Sequence, residues 1–92
     1  MKRRYHFGNA SGALRTEMAR IGALINDLDR QSQLLECEIG AQEERAGAFN
    51  RADDSYPMTA RILAVRRDNL KATIATLRRQ FAGLEGTERL HA

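Results

Sequence analysis

The chain has no tryptophan, and only one valine (Val65), one proline (Pro57) and one cysteine (Cys37). Each shortage excludes something. Strands draw on β-branched and aromatic residues. With two Tyr and three Phe beside the lone Val, little material is left for a sheet. A single cysteine cannot close a disulfide within the chain, a usage that fits a reducing compartment. No apolar run approaches the ~20 residues that a membrane-spanning helix needs. The basic opening MKRRYHFGNASG is not followed by the apolar stretch of a secretory signal. These features lead to the expectation of a cytoplasmic protein with no membrane partner.

What is plentiful points to helices. Ala, Leu, Arg, Glu and Gln dominate, all good helix formers. Every basic residue except Lys2 and Lys71 is Arg, a bias that suits a GC-rich bacterial genome. A chain of 92 residues makes one small domain. A domain of that size buries a modest share of its surface and often gains from a partner.

The apolar residues repeat in steps of four and three. Leu14, Met18, Ile21, Ile25, Leu28, Ser32, Leu35, Ile39, Gln42, Ala46 and Phe49 form one array. Ala60, Leu63, Arg67, Leu70, Ile74, Leu77, Phe81 and Leu84 form a second. Sustained a/d spacing of this kind marks coiled coil. With Leu14 at d, the first helix should span residues 11–51, capped by Ser11. The second should span residues 57–85, ending near Gly86.

Between the arrays lies RADDSYPMTA, residues 51–60. Pro57 suits the first turn of a helix and damages a helix interior. Tyr56 before it is steered away from helical angles. Asp53, Asp54 and Ser55 favour turns and helix starts. The stretch therefore reads as a turn at residues 52–56, and the fold as all-α: an antiparallel two-helix coiled-coil hairpin. Folding the chain about Asp54 and Ser55 pairs residues whose numbers add to 109. Every a position then meets a d position, with Gln42 opposite Arg67 as a polar layer. Acids at the e positions of the first helix (Asp29, Glu36, Glu43) face Lys71 and Arg78 of the second, which opposes misregistered alternatives.

In that register Leu14, Met18 and Ile21 project past the second helix with an uncovered face. Leu24 and Leu34 lie off the seam, and Ile62 and Val65 form an outer patch. Exposed apolar groups of this kind mark interfaces, so these seven residues are the candidate protein interface. A homodimer completing a four-helix arrangement is expected, since symmetric dimers are the commonest oligomer. Another protein could also bind there. Residues 1–10 read as a flexible basic arm and 86–92 as a C-terminal tail. Within the arm Lys2, Arg3, Arg4 and Tyr5 are candidate nucleic-acid contacts, through phosphates and stacking. Gly8 and Gly12 interrupt the continuous helix that a leucine-zipper reader would need.

Chemistry is sparse. His6 and His91 lie at opposite ends and neither shares a helix face with Cys37, which occupies the outward f position. No spacing matches a zinc site, a phosphate loop or a nucleophile–base pair. No catalytic residue, metal, cofactor or small-molecule substrate is expected. The expected function is a non-enzymatic coiled-coil interaction module (adaptor, chaperone or assembly factor). The alternative is a nucleic-acid-associated protein using the arm and the basic second helix.

Overall fold

The computed structural model describes residues 4–91, with side chains for residues 12–90. It consists of two helices, α1 (Arg4–Ala46) and α2 (Met58–His91), joined by residues 47–57. Among the described residues there is no strand. The helices run antiparallel: Arg15 near the start of α1 reaches Glu88 near the end of α2, while Glu43 meets Tyr56 beside the connection. At ~1.5 Å per residue, the 43 residues of α1 account for the 68 Å long axis. The other two extents, 19 and 15 Å, are those of two helices side by side.

The all-α hairpin anticipated from the heptads is what the chain forms, but its boundaries differ. Helix α1 stops at Ala46 rather than near residue 51, and the cause is Gly47. Its φ is +67°, which a residue without Cβ adopts freely. Gly47 N donates to Glu44 O and Ala48 N to Glu43 O, both at 3.2 Å. This pair of bonds is the Schellman cap, and the residue after the glycine, Ala48, is buried against the helix end as that motif favours. Gly47 is thus a helix terminator and not an interior residue.

The connection is correspondingly longer than a five-residue turn, and it is built rather than loose. Asn50 Oδ1 accepts from Ala52 N at 3.0 Å, and Asp53 Oδ1 accepts from the backbone N and hydroxyl of Ser55 at 3.1 and 2.9 Å. These are the side-chain turns that Asx residues make with the backbone two positions on. The two Ser55 bonds hold the Asp53 carboxyl below the usual carboxylate range. Pro57 precedes the helix by one position, its carbonyl accepting from Arg61 N at 3.3 Å as an N-cap carbonyl does.

At the other ends both helices run further than expected. The backbone of α1 is helical back to Arg4, so the segment read as a flexible arm is helix where described, and Ser11 is an interior residue rather than a cap. Gly8 and Gly12 each cost only about 1 kcal/mol relative to Ala, too little to interrupt a helix that continues on both sides. Helix α2 passes through Gly83 and Gly86 to His91, with Thr87 Oγ1 bonding back to Gly83 O at 3.2 Å. The expected C-terminal tail is therefore mostly helical.

The early stop of α1 also moves the register. Ile39 packs in one cluster with Tyr56, Ala60, Ala64 and Leu63, not with Leu70. A Cβ on Gly22 would stand 3.7 Å from the Phe81 ring, and Arg15 pairs with Glu88. Facing residues thus have numbers adding to about 102 or 103 instead of 109, a slip of one heptad. A slip of seven returns every a to a d, so the alternation is equally satisfied. The seam positions from Leu14 to Gln42 are buried or half-buried, as are all of those from Ala60 to Leu84. Ala46 and Phe49, assigned to the seam, are exposed because they fall at and beyond the helix end.

Tyr56 takes the place left vacant. It is buried, and its hydroxyl donates to Glu43 Oε2 at 2.9 Å. The Arg61 guanidinium sits 5.3 Å from the ring centroid, within cation–π range, and also bonds to Arg51 O. Burial, then the bond to Glu43, pushes the Tyr56 phenol up from its ordinary value. The small Ala60 and Ala64, fully buried, leave room for the ring and for Ile39. Arg67 no longer meets Gln42 in this register. Its Nε and Nη2 donate to Asp68 Oδ1 at 3.2 and 3.0 Å.

Candidate interaction surface

A two-helix hairpin buries one seam and exposes two broad faces, here the side of the e and b positions and the side of the g and c positions. The e side is closed by polar contacts from α1 to α2 and to the connection. Glu36 Oε1 meets Lys71 Nζ at 2.8 Å, Arg15 Nε meets Glu88 Oε2 at 3.6 Å, and Glu43 accepts from Tyr56. The Lys71 hydrogen bond, with its charge and the nearby Arg67 charge adding to it, lowers the Glu36 carboxyl. Only Glu36 with Lys71 and the Glu43 position answer to the expected e-side charges. Asp29 instead accepts from Gln33 within its own helix at 3.3 Å.

The g side is different. Leu24 at g, and Leu34 and Ile62 at c, are exposed, the last two at 63% and 55%. Between the helices on this side runs a shallow groove floored by Leu35 and Leu70, with Leu34, Gln31, Glu38 and Arg66 along its margins. Among the described residues no large exposed hydrophobic side chain falls at an e or b position. The hairpin therefore has one face cross-linked by polar groups and one open face that carries exposed apolar side chains.

The candidate interface residues divide accordingly. Leu24, Leu34 and Ile62 are exposed and share the open face, while Val65, also exposed, sits at f on the outer edge of α2. Leu14, Met18 and Ile21 do not project past the hairpin. The one-heptad slip sets α2 opposite them, so Ile21 is 3% exposed and the other two are half-buried. Lys2 and Arg3 lie outside the described residues. Arg4 and Tyr5 lie on the α1 backbone, their side chains outside the described set.

Sequence reasoning passed over Tyr56 and the groove. A Tyr beside the only proline was legible as a turn residue, but nothing in the heptad pattern marked it as the seal of the core. Exposed Phe49 and Met58, at 64% and 68%, add an apolar spot at the turn. Cys37 is an exposed free thiol. Among the described residues no group of three or more His, Cys, Asp and Glu side chains converges as a metal site would. Among them, too, no helix is long and apolar enough to cross a membrane. Comparison of the chain with protein-family models, curated proteins and solved structures finds no match to any of them.

Proposed function

We propose that the protein is a non-enzymatic coiled-coil interaction module of the cytoplasm, an adaptor, chaperone or assembly factor that works by offering its g-side face to another protein surface. The observation that supports this reading is the asymmetry of the two faces. The exposed Leu24, Leu34 and Ile62 and the Leu35–Leu70 groove gather on one side, while the polar cross-links gather on the other. Covering a large apolar side chain fully is worth roughly 1.5–3 kcal/mol. A small domain that leaves several of them on one face gains most by covering that face.

The test compares the wild-type chain with Leu34→Glu combined with Ile62→Glu, both tagged and expressed in their own cells. Circular dichroism should first show that the double variant keeps its helices. Proteins recovered with the wild type and lost with the double variant support the reading. An identical set recovered with both would overturn it.

The continuity of α1 back to Arg4 favours a second reading, nucleic-acid association. It carries Arg4 and Tyr5 on a helix that extends beyond the end of α2, in line with the heptads. Retention on heparin and duplex DNA across a salt series decides this. A steep salt slope that flattens on deletion of residues 2–7 is the result expected of it.

A further inference from the structure

We infer that the occupant of the g-side face is a second copy of this chain, docked about a twofold axis parallel to the long axis of the hairpin, with Glu38 of each copy facing Arg66 of the other. The inference rests on the reading of that face as an interaction surface and names its partner.

The groove carries its own complement. Its apolar floor, Leu35 and Leu70, is bordered by one acid on α1, Glu38, and one base on α2, Arg66. Among the described residues neither has an ion-pair partner within the hairpin, whereas the e side pairs Arg15 with Glu88 and Glu36 with Lys71 from helix to helix. In the observed register residue 38 of α1 stands level with about residue 64 of α2, so Glu38 and Arg66 lie within one helical turn of each other along the axis. A twofold axis along the hairpin places α1 of one copy over α2 of the other, antiparallel and level. That operation brings Glu38 against the partner copy's Arg66 twice over. It also lays Leu34 of each copy across the α2 of its partner. An isologous contact of this kind needs one self-complementary patch, and the groove is one. The product is a four-helix bundle in which every neighbouring pair is antiparallel. The alternative, pairing through projecting starts of α1, would need Ile21 uncovered, and Ile21 is buried.

Charge reversal with mixing tests this in the purified 92-residue chain. Light scattering at tens of micromolar should give twice the 10.3 kDa chain mass. Glu38→Arg and Arg66→Glu should each weaken the homodimer by about tenfold or more, because each sets like charges opposite one another. Circular dichroism should show both variants as helical as the wild type. Mixed in equal amounts, the two variants should form a heterodimer. At one of its two sites the introduced base of the first variant meets the introduced acid of the second. At the other site the unchanged Glu38 of one chain meets the unchanged Arg66 of its partner. Repair within a chain cannot mimic this result, because each chain keeps its own like charges. A wild-type monomer would overturn the inference while leaving capture of a different protein by the same face intact. A wild-type dimer whose variants stay dimeric, or whose variants fail to pair on mixing, would overturn the twofold arrangement.

Discussion

The two faces of the hairpin carry similar backbone and opposite finish. On the e side Glu36 with Lys71 and Arg15 with Glu88 join one helix to the other, and Glu43 with Tyr56 joins α1 to the connection. On the g side Leu24, Leu34 and Ile62 stand in solvent around an open groove. Exposed ion pairs contribute little each, so the e side is better understood as setting which way the helices face than as the main source of stability. Its one buried member is Tyr56. The face that could add most stability is the one left uncovered. If the open face is the interaction surface proposed above, folding and association rest on different surfaces and are separable by mutation.

The largest effect should come from breaking the closed face at its buried end. Tyr56→Ala removes the ring from the cluster of Ile39, Ala60 and Ala64, strips Arg61 of its stacking partner and leaves Glu43 without its hydroxyl. A drop in Tm of at least about 10 °C by thermal circular dichroism is expected. Tyr56→Phe should lose a smaller part of that. An unchanged Tm in Tyr56→Ala would mean that the connection contributes nothing to the fold.

Next comes the residue that ends α1. Gly47→Ala forces a Cβ into the left-handed region and should cost about 1–2 kcal/mol in chemical denaturation. The opposite sign is expected at Gly40, where an added Cβ meets no atom within 4 Å. Gly40→Ala should stabilise by about 1 kcal/mol through helix propensity alone. Equal and opposite results at two glycines of one helix would separate the capping glycine from the tolerated one. A gain from Gly47→Ala would refute the cap.

Smaller is the dependence on pH, to which two groups of the closed face contribute. Glu36 is lowered in the fold by Lys71, so its contribution to stability is present above the unfolded carboxylate value and is lost as pH falls through the folded one. Tm should therefore decline on acidification below about pH 4, and Glu36→Gln should remove part of that acid limb. Tyr56 runs the other way. Its phenol is raised, so its contribution is present below the unfolded value and is lost as pH climbs through the folded one. An alkaline decline above about pH 10 that vanishes in Tyr56→Phe is the expected signature. Leu34→Ala on the open face, which adds and removes no titrating group, should leave both limbs unchanged.

Much of the candidate surface was legible, and the part that was not has a definite cause. Leu24, Leu34, Ile62 and Val65 stood out because they break the a/d pattern, and all four are exposed. Leu14, Met18 and Ile21 were misplaced together, by one error in register rather than three separate ones. The groove between Leu35 and Leu70 was invisible because a groove belongs to two helices at once, and its walls depend on which residues stand level.

What the amino-acid order alone determined is the helical character, the two heptad arrays and the side of each helix that is buried. Those are local properties. They follow from propensity and from a period close to 3.6 residues, and they hold along the whole seam from Leu14 to Gln42 and from Ala60 to Leu84. What only the tertiary structure decided is how far one helix slides along the other. A heptad repeat is nearly degenerate to shifts of seven, because each layer offers its neighbour another a against another d. The choice among such shifts falls to groups outside the repeat. Gly47 stops α1 at Ala46, the turns at Asn50 and Asp53 set the length of the return, and Tyr56 fills the end of the core against Glu43. Together they set Ile39 beside Leu63 and bring α2 back to cover Ile21.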